Sequence, residues 1–191
     1  CYVAKILSII YLYFKINLKK IIMKINNLYM TLVVILYSTN ITADGNHGDF
    51  QCYSSDPEMG DSAYWASEAI ESFAQNQFEE AIHIVDACFD VFATEAVIMQ
   101  KELDANKVKY PPIGRVTRNE KEKIHKNYAV NDVSMALWAK ARSLEEIGKI
   151  NLAKNAYSKC MFLAHGRAWD PKGWFWNPAA DCVNRARKLL E

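Results

Sequence analysis

Four kinds of side chain in this sequence could do chemistry: thiols, imidazoles, paired carboxylates and a cluster of indoles. Cys52, Cys88, Cys160 and Cys182 have no two-residue gap between any neighbours, so they do not read as zinc ligands. They offer three disulfide pairings, or Cys88 and Cys160 serve as small buried residues. His47, His83, His125 and His165 sit on separate segments with no partnered nucleophile and no ligand spacing. Glu79, Glu80, Asp86 and Asp90 read as a solvated helix face rather than a glycosidase pair. With no glycine-rich phosphate loop either, the chain is expected to bind rather than catalyse, with no cofactor and no metal. Trp169, Trp174 and Trp176 are three of its five tryptophans, grouped beside Phe175. Such rings either stack on sugars or close the end of a helical stack as a structural aromatic cap; the second reading is preferred because large rings stabilise most when buried.

The elements that position these groups are helices. The chain has 191 residues, 51% hydrophobic, with seven glycines and five prolines, too apolar for disorder and too poor in turn residues for a β-sandwich. Its near-neutral charge hides a division: residues 1–43 hold five lysines and no acid, leaving 18 basic against 22 acidic side chains in residues 44–191. A mildly acidic body argues against nucleic acid as a partner, since phosphate neutralisation needs a basic surface.

Residues 1–22 read as an upstream, non-native extension. From Met23 the order is basic Lys24, an apolar run from Leu28 to Tyr37, polar residues, then Ile41-Thr42-Ala43, which is the plan of a signal peptide over 23–43. The run is too short to span a bilayer. Cleavage after Ala43 would give a periplasmic or secreted protein without a stable membrane anchor; an uncleaved anchor is the competing reading. Residues 44–60 form a polar lead-in, and 61–191 the helical domain.

Within that domain, Asp61 and Ser62 are expected to cap a helix carrying Tyr64, Trp65, Ala69, Ile70 and Phe73. A second stripe, from Phe78 through Phe92, returns as its hairpin partner. The run from Thr94 through Leu103 extends or restarts helix, and Tyr110-Pro111-Pro112 stops it. Thr117 and Glu120 make a capping box. Asn131 or Asp132 is expected to start the next helix, turned at Gly148 into its return partner. Asn177-Pro178 opens the last helix, whose inner side is read as Val183, Ala186, Leu189 and Leu190.

A shift of 72 places Ala81 on Ala153, Ala69 on Ala141, Phe78 on Ile150, Val85 on Tyr157 and Cys88 on Cys160. One unit is present twice. In the second copy Leu137, Ala141, Leu144, Gly148, Ala153 and Tyr157, and in the first Trp65, Ala69, Phe78, Ala81 and Val85, follow the large, small and turn pattern of the tetratricopeptide repeat, which they resemble. Glu68 and Lys140, Ser72, Ala93 and His165 depart from it. The segment from Arg167 to Trp176 is similar to the ending of a family of small exported bacterial tetratricopeptide-repeat proteins. The resemblance implies an all-α fold of about three antiparallel helix hairpins with a C-terminal capping helix, residues 96–133 forming an atypical middle hairpin.

It also implies that Cys88 and Cys160, on equivalent sites of different hairpins, lie too far apart to bond each other. Of the two pairings left, Cys52–Cys88 with Cys160–Cys182 is the sequence-local one. The first helix of each pair would line a concave face, carrying Ile70, Phe73, Met135, Trp138, Arg142 and Glu145 as the partner-binding residues. Trp and Arg over an apolar floor suit a protein or peptide ligand. The alternative is a carbohydrate (glucan) binding or processing protein using the tryptophan-rich segment.

Overall fold

The computed structural model describes residues 49–191; residues 1–22, the stretch 23–43 expected to be a signal peptide, and His47 lie outside the described residues. These residues form α1 Asp61–Ala74, α2 Phe78–Ala105, α3 Arg118–His125, α4 Tyr128–Glu146, α5 Ile150–Phe162, β1 Ala168–Asp170, β2 Trp174–Trp176 and α6 Pro178–Lys188. The fold is mostly helical. It is not purely so, because the aromatic segment expected to be a loop pairs with itself as an antiparallel hairpin. The reason is local: Trp174-Phe175-Trp176 is a strand-favouring aromatic run, and Gly173 takes φ +97° at the turn beneath it. Asp170 Oδ1 accepts the Lys172 N–H at 2.8 Å and closes the bend.

α4 lies at the centre, packed on α1, α2, α5 and α6. Close approach depends on small residues: Ala69, Ala81, Ala141 and Ala153 are all fully buried. Trp65 fills the gap between α1 and α2, stacks near Phe92 at 5.1 Å and donates its indole N–H to Ile84 O at 2.8 Å. Gly148 turns α4 into α5 at φ +73°.

The expected middle hairpin does not form. α2 runs on for 28 residues, about 42 Å at 1.5 Å per residue, because nothing between Phe78 and Ala105 stops a helix and Ala93 is an ordinary interior residue. Its extra turns are anchored by buried Ala96 and Gln100. An extended stretch then leads to α3, which Thr117 and Glu120 open with the expected capping box.

Three helix starts or faces also differ from expectation. α1 begins after Gly60, and neither Asp61 nor Ser62 caps it. Asp61 instead accepts the Ser54 N–H at 2.9 Å, and Ser62 donates to Asp132 at 2.6 Å. α4 begins three residues before Asn131, whose side chain works laterally: it donates to Ile124 O at 2.7 Å and accepts the Arg167 N–H at 2.8 Å. On and just after α6 the expected inner side is half right: Ala186 and Leu189 pack partly buried against the core, whereas Val183 and Leu190 face solvent and the fully buried stripe is Pro178, Ala179 and Cys182. The Cys160–Cys182 bond decides that orientation.

Two disulfides close the structure, Cys52–Cys88 with Cα atoms 5.6 Å apart and Cys160–Cys182 at 6.3 Å. Cys88 and Cys160 are both bonded and fully buried, so they serve the core as well. The first ties the lead-in to α2 and the second ties α6 to α5. Their spans of 36 and 22 residues correspond to about 3–4 kcal/mol each by loop entropy. Among the described residues no helix is long and apolar enough to cross a membrane.

Candidate functional site

The register of the hairpin builds one wall of a cleft. Ala168 pairs with Trp176, Trp169 with Phe175 and Asp170 with Trp174, so alternation puts Ala168, Asp170, Trp174 and Trp176 on one face and Trp169 and Phe175 on the other. Phe175 is also bonded on its far side to Gly114, N–H to O at 2.8 Å and 2.7 Å in the two directions. That bridge carries Ile113 to the rim.

Opposite the hairpin stand Ile70 and Phe73 of α1 with Met135 and Trp138 of α4; Ala180, Asp181, Asn184 and Arg185 of α6 close the third side. The cleft they enclose measures about 840 Å³, within the range of small-ligand and peptide-anchor sites. Its wall is a chain of edge-to-face rings: Phe73 to Trp138 with centroids 5.2 Å apart, and Trp138 to Trp176 at 5.1 Å. Trp138 donates its indole N–H to Asp181 Oδ2 at 2.6 Å, and the same oxygen accepts Arg185 Nε at 2.8 Å. Asp170 stays anionic, since the Lys172 backbone N–H and then the Trp174 side chain hold its carboxyl below the usual range.

Of the six residues assigned to a partner-binding face, Ile70, Phe73, Met135 and Trp138 line this cleft. Arg142 and Glu145 do not; they brace it from behind. The Arg142 guanidinium lies over both Phe73 at 5.0 Å and Trp138 at 5.5 Å and donates to Glu146 at 2.7 Å. Glu145 accepts the Tyr157 hydroxyl and lies 3.7 Å from Arg185. Burial first and that carboxylate second push the Tyr157 phenol well up, so it remains a donor.

The aromatic cap is divided rather than buried as a unit. Phe175 is buried, Trp176 is half-buried, and Trp169 and Trp174 are 46% and 47% exposed. Trp169 packs on Phe175 beneath Lys121, 4.7 Å from its ring, and both Trp169 and Phe175 also contribute to the cleft lining. Trp174 stands at the mouth. The lateral wall from α6 was not legible as a site: Asp181 and Arg185 show only as an i, i+4 pair, and their meeting with Trp138 depends on the Cys160–Cys182 bond.

The remaining reactive groups are dispersed. His165 is buried, its ring nitrogens 2.8 Å from Gln100 Nε2 and 3.0 Å from Val108 O, with the Tyr110 ring tilted against it. Arg167 donates to the carbonyls of Pro111, Ala164 and Gly166, holding the stretch before α3 against the loop after α5. His125 packs edge-on to Phe175. Among the described residues no three His, Cys, Asp or Glu side chains converge as a metal site. Comparison with protein families, with curated proteins and with solved structures finds no match to this chain.

Proposed function

We propose that this chain is an exported helical-repeat protein of the tetratricopeptide type, resembling the small bacterial family with the tryptophan-rich ending, and that it binds a peptide segment of a protein partner without catalysis. The observation that carries this is the cleft: the α1 and α4 rings, Phe73 and Trp138, and the hairpin rings, Trp174 and Trp176, belong to one solvent-open hollow. Indoles on a rigid, braced wall are the type of anchor site that dominates protein–peptide affinity. Export to the periplasm or beyond is supported by the two disulfides, which persist in oxidising compartments. No cofactor, nucleic acid or stable membrane anchor belongs to the proposal.

Selection of displayed peptides against the oxidised protein tests it. Peptides enriched on the native chain should be lost on Trp174→Ala, with helicity by circular dichroism unchanged. Enrichment indifferent to that substitution contradicts the reading.

A second reading is glucan binding, favoured by one observation: Trp174 leaves about half its surface free beside the anionic Asp170, an arrangement that offers a stacking face and a hydroxyl acceptor together. Retardation in glucan-containing native gels that disappears in Trp174→Ala would favour it over the peptide.

A further inference from the structure

On the opposite side of α4 from the hairpin cleft, a groove runs between α2 and α5. Two adjoining hollows of about 770 and 350 Å³ share Phe89, Leu137 and Lys159 and together follow α4 from Val133 to Leu144. That stretch is three helical turns, about 16 Å. Its floor is apolar and already buried at Val133, Leu137 and Leu144, while the walls leave large apolar groups in water: Ile98 is 52%, Leu152 57% and Phe162 44% exposed.

The groove carries a charge opposite to the acidic excess of residues 44–191. Lys140, Lys149 and Lys159 line it against Asp86 and Asp90, although acidic side chains outnumber basic ones over residues 44–191. Lys140 is neutralised by Asp86, which leaves two lysines on the α5 side facing one acid on the α2 side. Two of these lysines lie across the opening: Lys159 Nζ sits 4.8 Å from the Phe89 ring, and the Lys140–Asp86 pair spans from α4 to α2. Lys140 is held by Asp86 and Lys159 by the Phe89 ring, contacts of long flexible side chains that an incoming partner can replace.

The geometry points to a docking site for an amphipathic helix of a partner protein, about three turns long, with an acidic flank beside its apolar stripe. Three helices line one apolar trough, and the i, i+3, i+4, i+7 anchors of a docked helix would cover Phe89, Leu137 and Phe162. The acidic flank would lie along α5, where Lys149 and Lys159 are exposed and Lys159 gains a carboxylate when it leaves Phe89. This site is independent of the hairpin cleft: no residue lines both.

The test uses the whole oxidised protein and two labelled 15-residue helical peptides with the same leucine stripe, one flanked by glutamate and one by lysine. Anisotropy titration should give micromolar binding for the glutamate peptide, at least tenfold weaker binding for the lysine peptide, and a loss of affinity with added salt. Lys149→Glu with Lys159→Glu, both exposed and safe for folding, should reverse the preference; amide shifts should map to α2, α4 and α5. Equal affinity for the two peptides, no binding at millimolar concentration, or shifts confined to the residues around Trp174 would overturn the proposal. So would concentration-dependent dimerisation abolished by Ile98→Glu, because a second copy would then be the occupant.

Discussion

Trp138 and Asp181 lie 43 residues apart in the chain, on α4 and α6, and are joined by an indole N–H donated to a carboxylate at 2.6 Å. The bond links the ring, which meets Phe73 and Trp176 in T-shaped contacts, to the closing helix, so the cleft wall and α6 share this contact. Trp138→Phe keeps a ring and removes the donor. It should cost about 1.5–3 kcal/mol in denaturant unfolding, since a hydrogen bond to a charged acceptor is lost, and should weaken any cleft ligand further by freeing the ring. An unchanged midpoint would show that packing alone sets the wall.

The Cys160–Cys182 disulfide places α6, and with it Asp181, Asn184 and Arg185, against the cleft. Replacing both cysteines by alanine should lower stability by about 3 kcal/mol and raise amide exchange along α6 and the hairpin. The corresponding change at Cys52 and Cys88 should cost a similar amount but leave cleft exchange as it was, because that bond anchors only the lead-in to α2. Hydrogen–deuterium exchange of the two variants separates these outcomes.

Asp132 gives the fold an acid-side signature. Burial pushes its carboxyl up to about 6, with the Ser62 hydroxyl bond acting in the opposite direction. The folded protein therefore keeps a proton between the ordinary value of 3.8 and about 6 that the unfolded chain has released. This group's contribution is most favourable below that window and declines as pH rises through it. Asp132→Asn should flatten the decline and stabilise the protein at pH 8 by up to about 2 kcal/mol, allowing for partial solvent contact. Melting curves from pH 4 to pH 8 check it; a parallel pH profile for the two proteins would refute it.

Gly166 touches the core where the chain leaves α5. A methyl group there would meet Ser134 Oγ at 2.3 Å and Ser134 Cβ at 2.9 Å, and Ser134 itself is fully buried on α4. Gly166→Ala should destabilise by about 1–3 kcal/mol through overpacking, read as a lower thermal midpoint, whereas Gly60→Ala, with open space around it, should stay within about 0.5 kcal/mol.

Local signals in the sequence located what local chemistry decides. Thr117 and Glu120 make the capping box, Gly148 takes the left-handed turn, Asn177 and Pro178 open α6, and the matched alanines are buried. The failures share another cause. The middle hairpin over 96–133 rests on analogy with the repeat, and with no breaker at Ala93 α2 takes the extended of the two readings and continues to Ala105. Asn131 has the side chain of a cap, yet its partners are Ile124 and Arg167, which only the tertiary fold brings near. The apolar wall of Phe73, Met135 and Trp138 follows from helical spacing. Its completion by Asp170, Trp174, Asp181 and Arg185 needs the strand register and the disulfide, neither of which periodicity encodes.

The most direct test of the cleft as a ligand site is calorimetric titration of a display-selected peptide into the native protein, Trp174→Ala and Ile70→Glu, which alter its hairpin and α1 walls. The account predicts that each substitution weakens binding at least tenfold, about 1.4 kcal/mol, with the Trp174→Ala midpoint little changed and that of Ile70→Glu lowered, since Ile70 packs against the core. Full affinity in both variants would place the ligand elsewhere and contradict it.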